Sequence, residues 1–240
     1  MTIFEDIGFP NRQTVYIFNG DIVDRGDKSL ECILTIFAYK IAQFGQVYVS
    51  RGNHESMSVK RGSFYEECRD RLTDYPEAFE EFHKAFEALP YGYIVEDRYF
   101  VTHGGLAPEM DLNQLKNLFR TEYNYSNDHM MYAMLWNDPC EQDVPVYDNY
   151  LVPNRKRGGY SFEFHPELTR LFLKKHGLKG LIRSHQMASG GSFVSQNGQC
   201  LTIFSAPNYC NLGNDGAVVL VTETDLVVIK MRGSNKEVAK

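Results

Sequence analysis

Four short apolar runs in this chain end abruptly in side chains that bind metals or phosphate. Val15-Tyr16-Ile17-Phe18 runs into Asn19-Gly20-Asp21-Ile22-Val23-Asp24-Arg25-Gly26, and Val47-Tyr48-Val49 into Arg51-Gly52-Asn53-His54-Glu55. Tyr99-Phe100-Val101 ends in His103-Gly104-Gly105, and Gly180-Leu181-Ile182 in Arg183-Ser184-His185. Aspartate, asparagine and two histidines form a mixed oxygen and nitrogen donor set. Such a set suits manganese, iron or zinc better than calcium, and is not an all-sulfur site. A carboxylate can bridge two such ions, and a pair of ions can hold a hydroxide and clamp a phosphoryl group. Arginines beside them offer paired donors to phosphate oxygens. Ligands at the carboxyl ends of neighbouring strands meet in one crevice, so Asp21, Asn53, His103 and His185 are expected within coordinating reach of one another. Each of these residues alone would be an ordinary capping or loop residue; four strand ends of the same kind argue for a site.

The elements that must carry them follow from periodicity. Short apolar runs at 15–18, 47–49, 99–101, 180–182, 201–204, 218–221 and 226–231 read as strands, most of them covered on both faces. Leu30, Ile33, Leu34, Phe37, Ala38 and Ile41 keep helical spacing, with Gly45 where a C-terminal cap belongs. Phe79, Phe82, Phe86 and Leu89 form a second stripe, of core packing, before Pro90, and Leu168, Leu171 and Phe172 a third before Gly177. Strands and helices alternate in the first half and strands alone fill the last forty residues. That order predicts an α/β sandwich, helices covering a two-sheet core, in a single domain over 1–240. Residues 121–159 are polar and aperiodic, as in surface loops that carry binding groups.

The chain has 240 residues, 43% hydrophobic and 23% charged, enough for one buried core. A net charge of −6 argues against nucleic acid or an anionic membrane as the main partner. No apolar run is long enough to span a bilayer, and the N-terminus has no signal-peptide pattern. Cys32, Cys68, Cys140, Cys200 and Cys210 are odd in number and form no Cys-x-x-Cys pair. They read as free thiols of a cytoplasmic or nuclear protein, and Cys210 as a buried structural one. His83, His129, His165 and His176 lie outside every motif and read as solvated surface residues.

GDIVDRG, RGNHE, HGG, RSHQ and SAPNY, in this order and spacing, resemble the phosphoprotein phosphatase family of serine/threonine phosphatases, the group that includes calcineurin. The resemblance implies the calcineurin-like metallophosphatase fold, an α/β class β-sandwich with flanking helices in four α/β/β/α layers. It also implies hydrolysis of phosphoserine and phosphothreonine in proteins by direct attack of a metal-bound hydroxide. By that resemblance Asp21 bridges two metals, and Asn53, His103 and His185 complete the second metal's ligands. His54 is the general acid and Asp24 orients it. Arg25, Arg157, Asn53 and Tyr209 line the phosphate pocket, with Asp138 steadying Arg157. The cofactors implied are divalent manganese, iron or zinc. The partners implied are phosphoprotein substrates together with regulatory subunits or appended domains. The family's opening Gly-Asp-x-His-Gly motif is absent from the sequence, which implies an N-terminally truncated domain with only Asp21 left at the first metal. A weak catalyst, a poorly stable fold and a slot beside the 15–18 strand are the corresponding expectations. Two alternatives stand beside the enzyme: a catalytically impaired module that binds phosphoproteins or regulatory subunits, and a phosphoesterase acting on nucleotides or nucleic acid.

Overall fold

Helix α2 (Ser29–Ala42) buries Leu30, Ile33 and Ile36, with Phe37 partly covered. Its N-cap, Lys28, offers no side-chain acceptor. The carboxylate of Glu67, in α3 (Ser63–Arg71), takes that role by accepting from the Ser29 and Leu30 N–H groups at 2.9 and 3.3 Å. Leu34 and Ile41, assigned to the buried stripe from spacing, are exposed. The helix runs through Ala42 with Gln43 as its C-cap, and Gly45, expected as the cap, instead makes the left-handed turn into the next strand. Helix α4 (Ala78–Glu87) buries Phe79, His83 and Phe86, so His83 is a core residue, packed edge-on against both phenylalanines, and not a surface one.

The structure is a computed structural model that describes residues 2–56, 62–117, 129–140 and 149–231. Among these, the chain divides into two compact units, one reaching Gly92 and the other beginning at Tyr93. In the first, β1 (Tyr16–Phe18) and β2 (Val47–Val49) pair in parallel, Phe18 opposite Val49. Helices α2, α3 and α4 bury Phe64, Cys68 and Phe86 with Val47 and Val49 of β2 in one cluster. The short α1 (Thr2–Ile7) adds Phe4, whose ring meets those of Phe9, Tyr16, Phe18 and Tyr39.

The second unit is organised by a five-stranded mixed sheet. In sequence order its strands are β3 (Gly92–Val95), β4 (Tyr99–Thr102), β8 (Gly180–Arg183), β9 (Ser192–Ser195) and β10 (Cys200–Ile203), and in space β3-β4-β8-β10-β9. β4, β8 and β10 run parallel, and β9 returns antiparallel. The three parallel strands are buried along their whole length, as continuous apolar runs require. β5 (Asp138–Pro139), β6 (Leu151–Pro153) and β7 (Phe162–Phe164) form a second sheet, and β11 (Gly216–Val221) with β12 (Leu226–Met231) an antiparallel hairpin. The short α5 (Leu112–Leu115) is capped by the Asp111 side chain, and helix α7 (Pro166–His176) starts at proline and stops at left-handed Gly177, with His165 Nδ1 capping the Glu167 N–H at 3.1 Å. Position 165 is therefore a helix cap and not a free surface histidine.

Two other expectations change. Part of 121–159 is regular: α6 (His129–Trp136) buries Met131, Ala133, Met134 and Leu135, β5 and β6 follow, and 121–128 and 141–148 lie outside the described residues. Cys210 is exposed, at a φ of 50°. Among the described residues no helix is long and apolar enough to cross a membrane.

Candidate active site

In the first unit, the loops after β1 and β2 are tied together by Glu55. Its buried carboxylate accepts from the N–H groups of Asp21, Ile22 and Gly52 at 2.7, 2.7 and 2.8 Å. These charge-assisted bonds hold Asp21 at a φ of 53° and help fix a turn in which Asp24 and Arg25 also have positive φ. Non-glycine residues in that region cost about 1 kcal/mol or more each, and persist where surrounding bonds over-determine them. The Asp21 side chain returns a bond, Oδ1 accepting from the His54 N–H at 3.1 Å. Asn53 is buried next to it and Arg25 is exposed to solvent.

His54 Nδ1 lies 2.8 Å from Asp24 Oδ2. A carboxylate can only accept, so the Nδ1 proton sits between them and Nε2 is the nitrogen left to give or take a proton. Burial pushes the His54 pKa down, but the hydrogen bond to Asp24 and the charges of Asp21, Asp24 and Glu55 outweigh it and the net shift is upward.

In the second unit, His103 follows β4 and His185 follows β8, and the parallel register brings Nε2 of the first to 3.3 Å from Nδ1 of the second. His103 is fully buried and His185 is held at a φ of 64°. Gly104 and Gly105 dock on the end of α6, their N–H groups meeting the Met134 and Ala133 carbonyls. A methyl at Gly104 would lie 2.6 Å from the Leu135 carbonyl carbon and the Trp136 nitrogen, so only glycine admits this approach. Trp136 then stands edge-on to His185 with ring centres 5.6 Å apart.

The same unit holds a shared carboxylate. Asp138, almost fully buried, accepts from Arg157 Nε at 2.6 Å and from Arg183 Nη2 at 2.8 Å. Asn154 adds a third donor at 2.9 Å. Arg157 remains partly exposed and also reaches the His185 carbonyl at 3.2 Å. Arg183 is fully enclosed, and burial lowers its pKa against the pull of Asp138. Tyr209 packs on Phe204, and its N–H is held by Asn214 Oδ1 at 2.8 Å. Glu55, Arg183 and Asn214 carry the support here; the first two sit inside the quoted motifs, while nothing local in the sequence marks Asn214.

Loops at the ends of two parallel strand pairs, a carboxylate–histidine pair and a facing histidine pair are features of a metal-assisted phosphoesterase. The family model of the calcineurin-like phosphoesterases matches residues 1–189, and the chain belongs to that family. Its fold is the calcineurin-like α/β fold with mixed sheets. It is 38% identical over 228 residues to serine/threonine-protein phosphatase T of Schizosaccharomyces pombe, covering 93% of this chain and 46% of that protein. It is 35% identical to serine/threonine-protein phosphatase 5 of Solanum lycopersicum, covering 94% of this chain and 39% of the relative. A solved Saccharomyces cerevisiae protein serine/threonine phosphatase with similarity to human PP5 superposes with a TM-score of 0.85 at 32% identity, over 97% of this chain and 75% of that one. The chain thus spans about half the length, or less, of the curated relatives it matches. The family implies divalent metal ions. The two facing imidazoles suit such an ion, because neutral histidine nitrogens are good donors to first-row divalent metals.

Proposed function

We propose that the protein removes phosphate from phosphoserine and phosphothreonine in protein substrates, with divalent metal bound by Asp21, Asn53, His103 and His185. The observation that carries this reading is the His54–Asp24 pair, since a module that only binds phosphate has no need of an oriented proton donor. The relatives' names supply the substrate class. When bound, manganese, iron or zinc would supply Lewis acidity toward the phosphoryl oxygens and the attacking water.

The chain's own residues do the rest. Glu55 fixes the Asp21 and Asn53 loops in place before substrate arrives, which lowers the ordering cost of the reaction. Arg157, aligned by Asp138, and Arg25 grip phosphoryl oxygens and balance the charge that grows on them. His54 gives a proton from Nε2 to the departing serine or threonine oxygen, while Asp24 holds its Nδ1 proton. Tyr209 walls the pocket, and regulatory subunits or further domains direct substrate choice.

The test is phosphate release from phosphoserine peptides by the purified full-length protein with manganese. Expected is turnover that disappears in a chelator and returns with metal. Stoichiometric metal binding without turnover would leave the binding-module reading standing; release from nucleotides but not from phosphopeptides would favour the nucleotide phosphoesterase.

A further inference from the structure

Nothing about the backbone at position 62 requires glycine. Its φ of −80° and ψ of −179° are open to any residue. The requirement is one of space: a methyl built on Gly62 would land on the Asp24 carboxylate, 2.5 Å from both Cγ and Oδ2. Gly62 is also the N-cap of α3 and has no side chain to cap it. Asp24, forty residues before Phe64, supplies that acceptor, Oδ1 taking the Phe64 N–H at 2.8 Å. Its Oδ2 faces His54 at 2.8 Å, and its own N–H donates to Ser29 Oγ at 3.1 Å.

The geometry points to Gly62 and the first turn of α3 as a positioning device for the Asp24–His54 pair. An aspartate's terminal torsion is broad, so a carboxylate held by one partner swings. Pinning Oδ1 to a fixed helix N–H leaves Oδ2 one direction in which to point, and the imidazole follows it. The positive end of α3 also favours the carboxylate's charge. Gly62 touches no reacting atom and acts only through Asp24. The role in turnover rests on the phosphatase reading above; the contact itself does not.

The experiment is Gly62→Ala in the manganese-loaded full-length protein. Expected is a loss of about tenfold or more in turnover on phenyl phosphate, which needs leaving-group protonation, and a smaller loss on para-nitrophenyl phosphate, with KM within about twofold. In an Asp24→Ala background the same substitution should do nothing further, because the group it displaces is gone. Equal losses on both substrates, or losses that multiply with Asp24→Ala, would overturn the proposal. Should Gly62→Ala fail to fold, amide exchange at Phe64 in Asp24→Ala decides: faster exchange supports the pin and unchanged exchange refutes it. That arm needs no catalysis, so an inactive wild-type protein would sink the phosphatase reading alone.

Discussion

At the scale of single residues, the site is a set of groups whose protons are already allotted. Asp24 fixes the Nδ1 proton of His54, so replacing His54 by Asn is expected to slow turnover by about a hundredfold, the usual scale for losing a positioned acid. The loss should be larger on phenyl phosphate than on para-nitrophenyl phosphate, and equal loss on the two would mean that His54 is not the acid. The cysteines make a second prediction. Burial raises the Cys68 and Cys200 thiols to about 11, whereas Cys32 and Cys210 are exposed. A raised thiol pKa favours the neutral form at all pH values below it, and the thiolate is the nucleophile. Ellman's reagent at pH 8 should therefore modify Cys210 and, more slowly because burial also raises its pKa, Cys32. Cys68 and Cys200 should react only after denaturation, as read by mass spectrometry of the labelled peptides.

At the scale of elements, supports come from outside the element supported. Glu67 in α3 caps α2, and α2 holds Asp24 through Ser29, so a substitution on one helix is felt in the turn that carries the acid pair. Glu67→Ala is expected to cost about 1 to 2 kcal/mol in urea unfolding, the scale of a lost helix cap with charge. Glu31→Gln, which removes only the exposed pairing with Arg71, should leave the urea midpoint almost unmoved. Comparable losses from the two would mean that the network counts as charge and not as a cap. The same logic holds in the second unit, where Asp138 serves the enclosed Arg183 and the partly exposed Arg157 together.

At the scale of the whole molecule, the proposed chemistry depends on bound metal. Removing metal with a chelator should abolish turnover while far-ultraviolet circular dichroism keeps its helix signal, since α2, α4 and α7 rest on apolar packing. Added manganese should restore it. His185→Ala should lower metal affinity by about tenfold or more in calorimetric titration, because one imidazole nitrogen of the facing pair is gone. Unchanged affinity would remove His185 from the ligand set. Trp136, the single tryptophan of the chain, stands edge-on to His185 and gives an optical readout of the same titration.

The sequence by itself determined which strands end in ligand-type residues, because each of those ends is written in contiguous residues. β1, β2, β4 and β8 lie where short apolar runs put them, and α7 carries its own signals, Pro166 at its start and Gly177 past its end. The family and the α/β class were legible for the same reason: ordered motifs at strand ends survive reading one residue after another. Tertiary structure alone decided the neighbours. Leu34 keeps the spacing of a buried stripe yet is exposed, and His83, outside every motif, is core, because only what packs against a helix selects its buried face. Glu67 as the cap of α2 and Asp138 between two arginines join residues far apart along the chain. Gly62 is the sharpest case: its backbone would suit any residue, and the reason for glycine is a carboxylate thirty-eight positions away that only the fold brings against it.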